Sequence, residues 1–182
     1  AKLVTIENFL ADPALDALYE MLQKVDAVAP QRKEQQTPSP IAGKQVICRE
    51  GVRLNQTSVS KEEAIQAAGE LLVQLGYVDE SYIPAMQERE KLITTYMGMG
   101  VAIPHGTSQA KGTVKKTGIV FLQYPDGVKF GEEKAQLVFG IAGIGNEHMD
   151  LLAKICYMLE DEEVLEKLKT TNDLDWVMQQ LS

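Results

Sequence analysis

Residues 117–152 read "TGIVFLQYPDGVKFGEEKAQLVFGIAGIGNEHMDLL" and contain the strongest indications of the fold. The apolar, β-branched run "TGIVFLQY" predicts a core strand, and the "PDG" after it predicts a turn that closes the strand at residues 124–127. A second buried strand is predicted from Ala135 into the glycines of "KAQLVFGIAGIG". The apolar spacing that begins in "NEHMDLL" then predicts a helix.

Helical patterns extend outward from this segment on both sides. "SVSKEEAIQAAGELLVQLGYV" (58–78) predicts a helix that Ser60 caps, with Glu63 completing a capping box and Gly76 ending it. A shorter helix is predicted in "DESYIPAMQEREKL" (79–92), and two more in "EEVLEKLKT" (162–170) and "NDLDWVMQQL" (172–181). Strands that alternate with helices indicate an α/β layered domain around a central sheet.

Composition excludes several classes of function. The 182 residues have a formal net charge of −8 and no long basic run, which argues against a nucleic acid as partner. No apolar run is long enough to span a bilayer, and the first residues do not resemble a signal peptide. Cys48 and Cys156 are isolated among apolar neighbours, so we expect free thiols in a reducing cytoplasm and no CxxC metal site.

The N-terminal residues differ from the rest of the chain. Residues 1–28 predict a short strand followed by a helix. Residues 29–40, "APQRKEQQTPSP", are polar and contain three prolines, which is typical of a linker. The compact domain is therefore expected at residues 41–182.

Both histidines of the chain follow predicted strands in glycine-punctuated loops. His105 stands in "GVAIPHGT", where Pro104 fixes its own φ and Gly106 has no side chain to screen the ring. His148 stands in "GIGNEHMDLL", on the first turn of a helix that Asn146 is expected to cap. Either residue alone is compatible with a structural role. In a parallel sheet, however, such loops share the edge at which ligands bind, and this favours a functional pair.

Several chemistries are disfavoured by the motifs that the chain lacks. Zinc normally takes three or four ligands from a recognisable cluster, and neither histidine lies in an HxH, HxxE or HExxH pattern. A zinc site therefore remains a weaker alternative. No GxSxG elbow and no GxxxxGK[ST] loop occur, so a serine hydrolase and a P-loop nucleotide site are not supported. We predict neither a metal nor a cofactor.

The remaining chemistry is attack of a histidine on phosphorus. A neutral imidazole can take up a phosphoryl group and carry it as a labile adduct, and the helix start at His148 favours an anion. Such transfer depends on positioning and charge stabilisation, for which the arginine fork is well suited. Arg89 is the candidate cation, with Arg49 and Arg53 as rivals.

"GMGVAIPHGT" followed by "GNEHMDLL" resembles the enzyme IIA domain of the bacterial phosphoenolpyruvate-dependent sugar phosphotransferase system, of the mannitol/fructose type and closest to its mannitol-specific members. "EREKL", "TTYMG" and "TGIVFLQYPDGVKFGEE" agree with it in order and spacing. The resemblance covers residues 41–182. It implies a mixed, mostly parallel five-stranded sheet with helices on both faces.

The resemblance also implies roles for individual residues. His105 would be the phosphorylated histidine, His148 the second active-site histidine, and Arg89 an arginine lining the site. The supporting loop residues would be Gly106, Thr107, Asn146 and Glu147. The phosphoryl donor would be the phosphocarrier protein HPr and the acceptor a cysteine of a IIB domain, which phosphorylates the sugar as it enters through a membrane IIC domain.

Further expectations about partners and location follow from the resemblance. Residues 1–28 resemble the last strand and helix of a IIB domain. The IIA-like domain at 41–182 is therefore expected in the cytoplasm, and in a fused protein it would be tethered to a IIC/IIB transporter. The alternative function is that of the regulatory, nitrogen-type IIA relatives, which use the same histidine to control binding to other proteins. We expect an apolar rim around His105 and no sugar pocket, because two partners would dock there in turn.

Overall fold

The computed structural model describes residues 45–181, which form a five-stranded sheet with the strand order β1-β4-β5-β3-β2. The strands are β1 (Val52–Arg53), β2 (Tyr96–Gly98), β3 (Val101–Ala102), β4 (Gly118–Phe130) and β5 (Glu133–Ala142). The pairs β1–β4 and β3–β5 are parallel, whereas β2–β3 and β4–β5 are antiparallel. The prediction of a mixed five-stranded sheet is confirmed. The predicted remnant at 1–28, the predicted linker at 29–40 and the first residues of the predicted domain, 41–44, lie outside the described residues.

The described residues contain five α-helices. They are α1 (Lys61–Gln74), α2 (Tyr82–Leu92), α3 (Glu147–Leu159), α4 (Glu162–Leu168) and α5 (Leu174–Leu181), together with 3-10 segments at Arg49–Gly51 and Ser108–Thr113. The start of α1 follows the predicted cap, since the Ser60 hydroxyl accepts a hydrogen bond from the Glu63 amide at 3.2 Å. Gly76 follows the helix with φ +80°, the left-handed backbone that ends many helices.

The helices cover both faces of the sheet, as predicted. Successive residues of β4 and β5 point to opposite faces, so each strand contributes to two cores. Phe121, Phe139 and Ile141 belong to the core beneath α3, α4 and α5, and the two phenylalanine rings stack with centroids 4.9 Å apart. Val120 and Val138 belong to the core beneath α1 and α2.

One predicted turn is wrong. The "PDG" segment does not close a strand, because β4 continues through it to Phe130. Its pairing with β5 shifts in register between Gln123 and Val128, and Gly127 has φ +82°. The segment is therefore an irregularity within one long strand. The chain reverses only at residues 131–132, where Gly131 has φ +77°.

No helix within residues 45–181 combines the length and the apolar character that crossing a membrane requires.

Candidate functional site

The sheet brings the loops of the two histidines to one edge. β3 and β5 are parallel neighbours, with Val101 opposite Leu137 and Ala102 opposite Val138. The loop of His105 follows β3, and the loop that leads to His148 follows β5. Both loops thus leave the carboxyl ends of adjacent parallel strands, which is where ligands bind in open α/β sheets. The prediction that the two loops share an edge is confirmed.

His105 is held in one tautomer by the backbone. Its ring is buried, with 3% of the residue exposed, and Nδ1 lies 2.8 Å from the carbonyl oxygen of Ile103. A carbonyl can only accept a hydrogen bond, so Nδ1 carries the proton and the lone pair is on Nε2. Ile103 is itself fixed, because its amide donates to the Thr95 carbonyl at 3.0 Å. Any nucleophilic attack by His105 would therefore come from Nε2.

A tyrosine from α2 anchors the loop around His105. The Tyr82 hydroxyl accepts a hydrogen bond from the Gly106 amide and donates one to the Ile141 carbonyl, both at 2.8 Å. A Cβ added to Gly106 would lie 2.5 Å from Cε2 of Tyr82, so only glycine fits beneath this ring. The sequence predicts a glycine at this position but does not point to Tyr82, which has no motif of its own in "DESYIPAM".

His148 is buried on the first turn of α3, with 9% of the residue exposed. The preceding loop passes so close to its backbone that a Cβ on Gly143 would lie 2.1 Å from the His148 nitrogen. The Thr117 hydroxyl accepts from the Ile144 amide at 3.0 Å, which fixes the same loop to the start of β4. Burial and the Glu147 carboxylate raise the pKa of Asp150, which also lies on the first turn of α3, and the His148 ring opposes that shift.

The side-chain cap predicted at Asn146 is wrong. Asn146 precedes α3, but its side chain makes no capping bond to the helix. Its Oδ1 instead accepts a hydrogen bond from Nζ of Lys111 at 3.3 Å, and so links the 3-10 segment after His105 to the loop before His148. Thr107 is the residue before that 3-10 segment, and its carbonyl accepts from Ala110. No sequence pattern singles out Lys111 or Tyr82.

Of the three candidate arginines, only Arg89 lies on the helix that carries Tyr82. Arg89 is seven residues after Tyr82, or about 10 Å along the same helix face, and it is 2% exposed. Its Nη1 donates to the Ile93 carbonyl at 2.6 Å.

The two rival arginines lie around β1, at the opposite edge of the sheet from β2. Arg49 pairs there with Asp175, and Arg53 donates to the Glu50 carbonyl at 2.5 Å. Arg49 and Arg53 are thus separated from β3 by the strands β4 and β5, and the partners just named lie outside the two histidine loops.

The arrangement suits transfer of an anionic group to a nitrogen nucleophile. It combines an oriented imidazole, a second histidine at a helix N-terminus, and a lysine shared between the two loops. Among residues 45–181 no three histidines, cysteines or acidic residues cluster in a way that could hold a metal ion.

Comparison with known proteins gives a consistent result. The family model described as "Phosphoenolpyruvate-dependent sugar phosphotransferase system, EIIA 2" matches residues 45–182. The mannitol-specific phosphotransferase enzyme IIA component of Bacillus subtilis is 49% identical over 134 residues, a match that covers 71% of this chain and 94% of that protein. The mannitol-specific EIICBA component of Escherichia coli is 48% identical over 136 residues, or 73% of this chain. The chain matches only 21% of the length of that fused relative.

A solved structure agrees with these three matches. The complex of enzyme IIAMTL and phosphorylated enzyme IIBMTL from Escherichia coli contains a chain that is 47% identical, with a TM-score of 0.71. The match covers 74% of this chain and 96% of the other. Since the family model spans more than half of the sequence, the chain belongs to the EIIA 2 family of the phosphoenolpyruvate-dependent sugar phosphotransferase system.

Proposed function

We propose that the chain is a phosphoryl carrier that accepts phosphate from phospho-HPr on Nε2 of His105 and passes it to a cysteine of a IIB domain during mannitol uptake. The observation that carries this proposal is the 2.8 Å contact between Nδ1 of His105 and the Ile103 carbonyl, because it leaves Nε2 as the nucleophile. Membership of the EIIA 2 family agrees with this role.

The transfer consists of two displacements at phosphorus, the first by a nitrogen nucleophile and the second by a sulfur nucleophile. In the first step the Nε2 lone pair forms the N–P bond, and the bond from phosphorus to the donor histidine breaks with its electron pair returning to that ring. His105 keeps the proton on Nδ1, so the phosphorylated ring is cationic, and the Ile103 carbonyl stabilises it. In the second step a thiolate of the IIB domain forms the S–P bond, and the electron pair of the N–P bond returns to Nε2.

The residues around His105 would stabilise the transferring phosphoryl group. His148 lies on the first turn of α3, where the amides and the helix dipole favour negative charge. Asn146 holds the Lys111 ammonium near the same helix terminus. The helix dipole repels a cation at this end, and a phosphoryl group bound beside Lys111 would offset that repulsion. We assign Arg89 a charge-stabilising role from the buried face of α2.

The sugar and the partners are proposed from the relatives. Both relatives compared above are named as mannitol-specific, and one solved relative is a complex with phosphorylated IIB. HPr as donor, the IIC domain as the membrane channel for the sugar, and a position on the cytoplasmic side of the membrane follow from the same relay. Ile144, in the loop after β5, is 47% exposed and offers an apolar contact to a docking partner.

We also propose that residues 1–28 are the end of a IIB domain and residues 29–40 a linker, as in a fused transporter. The EIICBA relative, whose name places C, B and A components in one chain, supports this order. The coding sequence upstream of Ala1 tests it. A IIB domain with a phosphocysteine loop is expected there, and an unrelated sequence would contradict the proposal.

The function is tested by incubating the protein with phosphoenolpyruvate, enzyme I and HPr. The expected result is an acid-labile phosphate on His105 that is absent from His105→Gln, and an unlabelled wild-type protein would overturn the proposal. Adding IIB then separates transport from regulation, because a carrier passes its phosphate to the IIB cysteine and a regulatory module keeps it. His148→Ala is expected to retain labelling but transfer more slowly. Unchanged rates in both directions would remove His148 from the mechanism.

A further inference from the structure

Tyr82 stands outside the set of residues that the sequence patterns assign to the site, yet it contacts both active-site loops. It is the first residue of α2 and is 4% exposed. Its ring lies directly over Gly106, and its hydroxyl reaches between the loop after β3 and the end of β5. A residue buried this deeply cannot touch a docking protein, so any effect that it has on transfer must pass through the loops.

The Tyr82 hydroxyl bridges two backbone groups, the Gly106 amide and the Ile141 carbonyl. A backbone amide only donates and a carbonyl only accepts, so the phenol must accept from Gly106 and donate to Ile141. In addition, the Ile141 amide donates to the Pro104 carbonyl at 3.1 Å. The residues on either side of His105 are thus both tied to Ile141, one directly and one through Tyr82.

Ile141 is also close in sequence to the loop that places His148. Two residues after Ile141 comes Gly143, which packs against the His148 backbone with no room for a Cβ. The bonds of Tyr82 therefore join the backbone around His105 to the strand end that fixes the start of α3.

We propose that Tyr82 is a positioning residue for phosphoryl transfer, whose hydroxyl fixes the backbone of the His105 loop relative to His148. This inference rests on the proposed carrier function of His105. Positioning errors of about 1 Å in a reacting group can lower rates by about a hundredfold. Loss of one hydroxyl, with the ring still in place over Gly106, should have a smaller effect of about tenfold.

Tyr82→Phe is the test, because it keeps the ring and removes only the two hydrogen bonds. The matched control is Tyr124→Phe, which removes the hydroxyl of another buried tyrosine, 3% exposed, in the middle of β4 and outside both histidine loops. Transfer from phospho-HPr and transfer to IIB are measured by rapid quench at a temperature where all three proteins are folded. For Tyr82→Phe we expect kcat to fall about tenfold while KM for phospho-HPr stays within about twofold, because the buried ring makes no contact with the donor.

The outcomes separate this inference from the function on which it rests. An unlabelled wild-type protein would overturn the carrier function. A labelled wild type with a Tyr82→Phe kcat equal to that of Tyr124→Phe would overturn the positioning role alone, and so would a change confined to KM or to thermal stability.

Should Tyr82→Phe fail to fold, hydrogen exchange in the wild type tests the same bond. The Gly106 amide is expected to exchange far more slowly than the amide of Gly131 in the exposed β4–β5 turn. Equal exchange at the two amides would show that Tyr82 does not hold the loop and would overturn the inference.

Discussion

Replacement of Gly143 by alanine should displace the start of α3 and slow phosphoryl transfer. A Cβ at this position would lie 2.1 Å from the His148 nitrogen, 2.6 Å from its Cα and 2.9 Å from the carbonyl carbon of Glu147. All three are backbone atoms, so no side-chain rotation relieves the collision. Ordinary contact begins near 3.4 Å, which means that the helix start must retreat by about 1.3 Å.

Such a shift has two consequences of different size. Overpacking of this kind costs about 1–3 kcal/mol of folding free energy, which lowers the melting temperature by several degrees in a domain of this length. Because His148 moves with the helix start, transfer should fall more steeply, by about a hundredfold. Circular dichroism melts give the first quantity, and rapid-quench transfer from phospho-HPr gives the second.

Gly112→Ala is the matched control, since a Cβ at Gly112 meets nothing within 4 Å. It lies in the 3-10 segment of the same site and should leave stability and transfer close to those of the wild type. A Gly143→Ala protein that melts and transfers like Gly112→Ala would refute the close approach of the loop to His148. A destabilised protein with normal transfer in its folded fraction would refute the link between this approach and the chemistry.

Three further predictions concern buried polar groups. Glu90→Gln should lower the free energy of unfolding in urea by about 1–3 kcal/mol, because the Glu90 carboxylate accepts hydrogen bonds from the Thr95 amide and hydroxyl at 2.7 and 2.6 Å. Glu88→Gln, on the exposed face of the same helix, should leave the free energy of unfolding unchanged. Gln123→Leu should cost a similar amount, because its amide nitrogen donates at 2.7 and 2.9 Å to two carbonyls near the end of α4; unchanged stability would count against this tie. Burial raises the pKa of Tyr82 to about 12 from 10.0, so the unfolded chain loses this proton first and stability falls between pH 10 and 12 by about 3 kcal/mol. Tyr82→Phe should lack this part of the loss, and equal alkaline losses in the two proteins would contradict the burial of the phenol.

The parts of the fold that the sequence predicts well are those set by local interactions. The start of α1 follows from Ser60 and Glu63, which contact each other three residues apart. The helices α3, α4 and α5 follow from apolar spacing within each segment. The shared edge of the two histidine loops follows from strand order in the chain and the general rule for parallel strands.

The parts that were missed depend on distant residues. The "PDG" segment has the composition of a chain-reversing turn, but pairing with β5 carries β4 through it, and that pairing cannot be read from the segment itself. Asn146 has the right type and position for a helix cap, but Lys111, 35 residues earlier, takes its side-chain oxygen. Tyr82 acquires its function from Gly106 and Ile141, which are 24 and 59 residues away.

Arg89 shows an intermediate case. Its place in a helix was predicted, and its burial beside the helix end is what tertiary structure adds. The position of Arg49 and Arg53 required the strand order, because only the topology shows that β1 is separated from β3 by two strands.

The most direct test of the central claim is to locate the phosphoryl group on the phosphorylated protein by 15N and 31P NMR of its histidine rings. The carbonyl of Ile103 holds the proton on Nδ1, so the phosphoryl group is predicted on Nε2 of His105, with Nδ1 still protonated. A phosphoryl group on Nδ1 of His105, or on His148, would contradict the account.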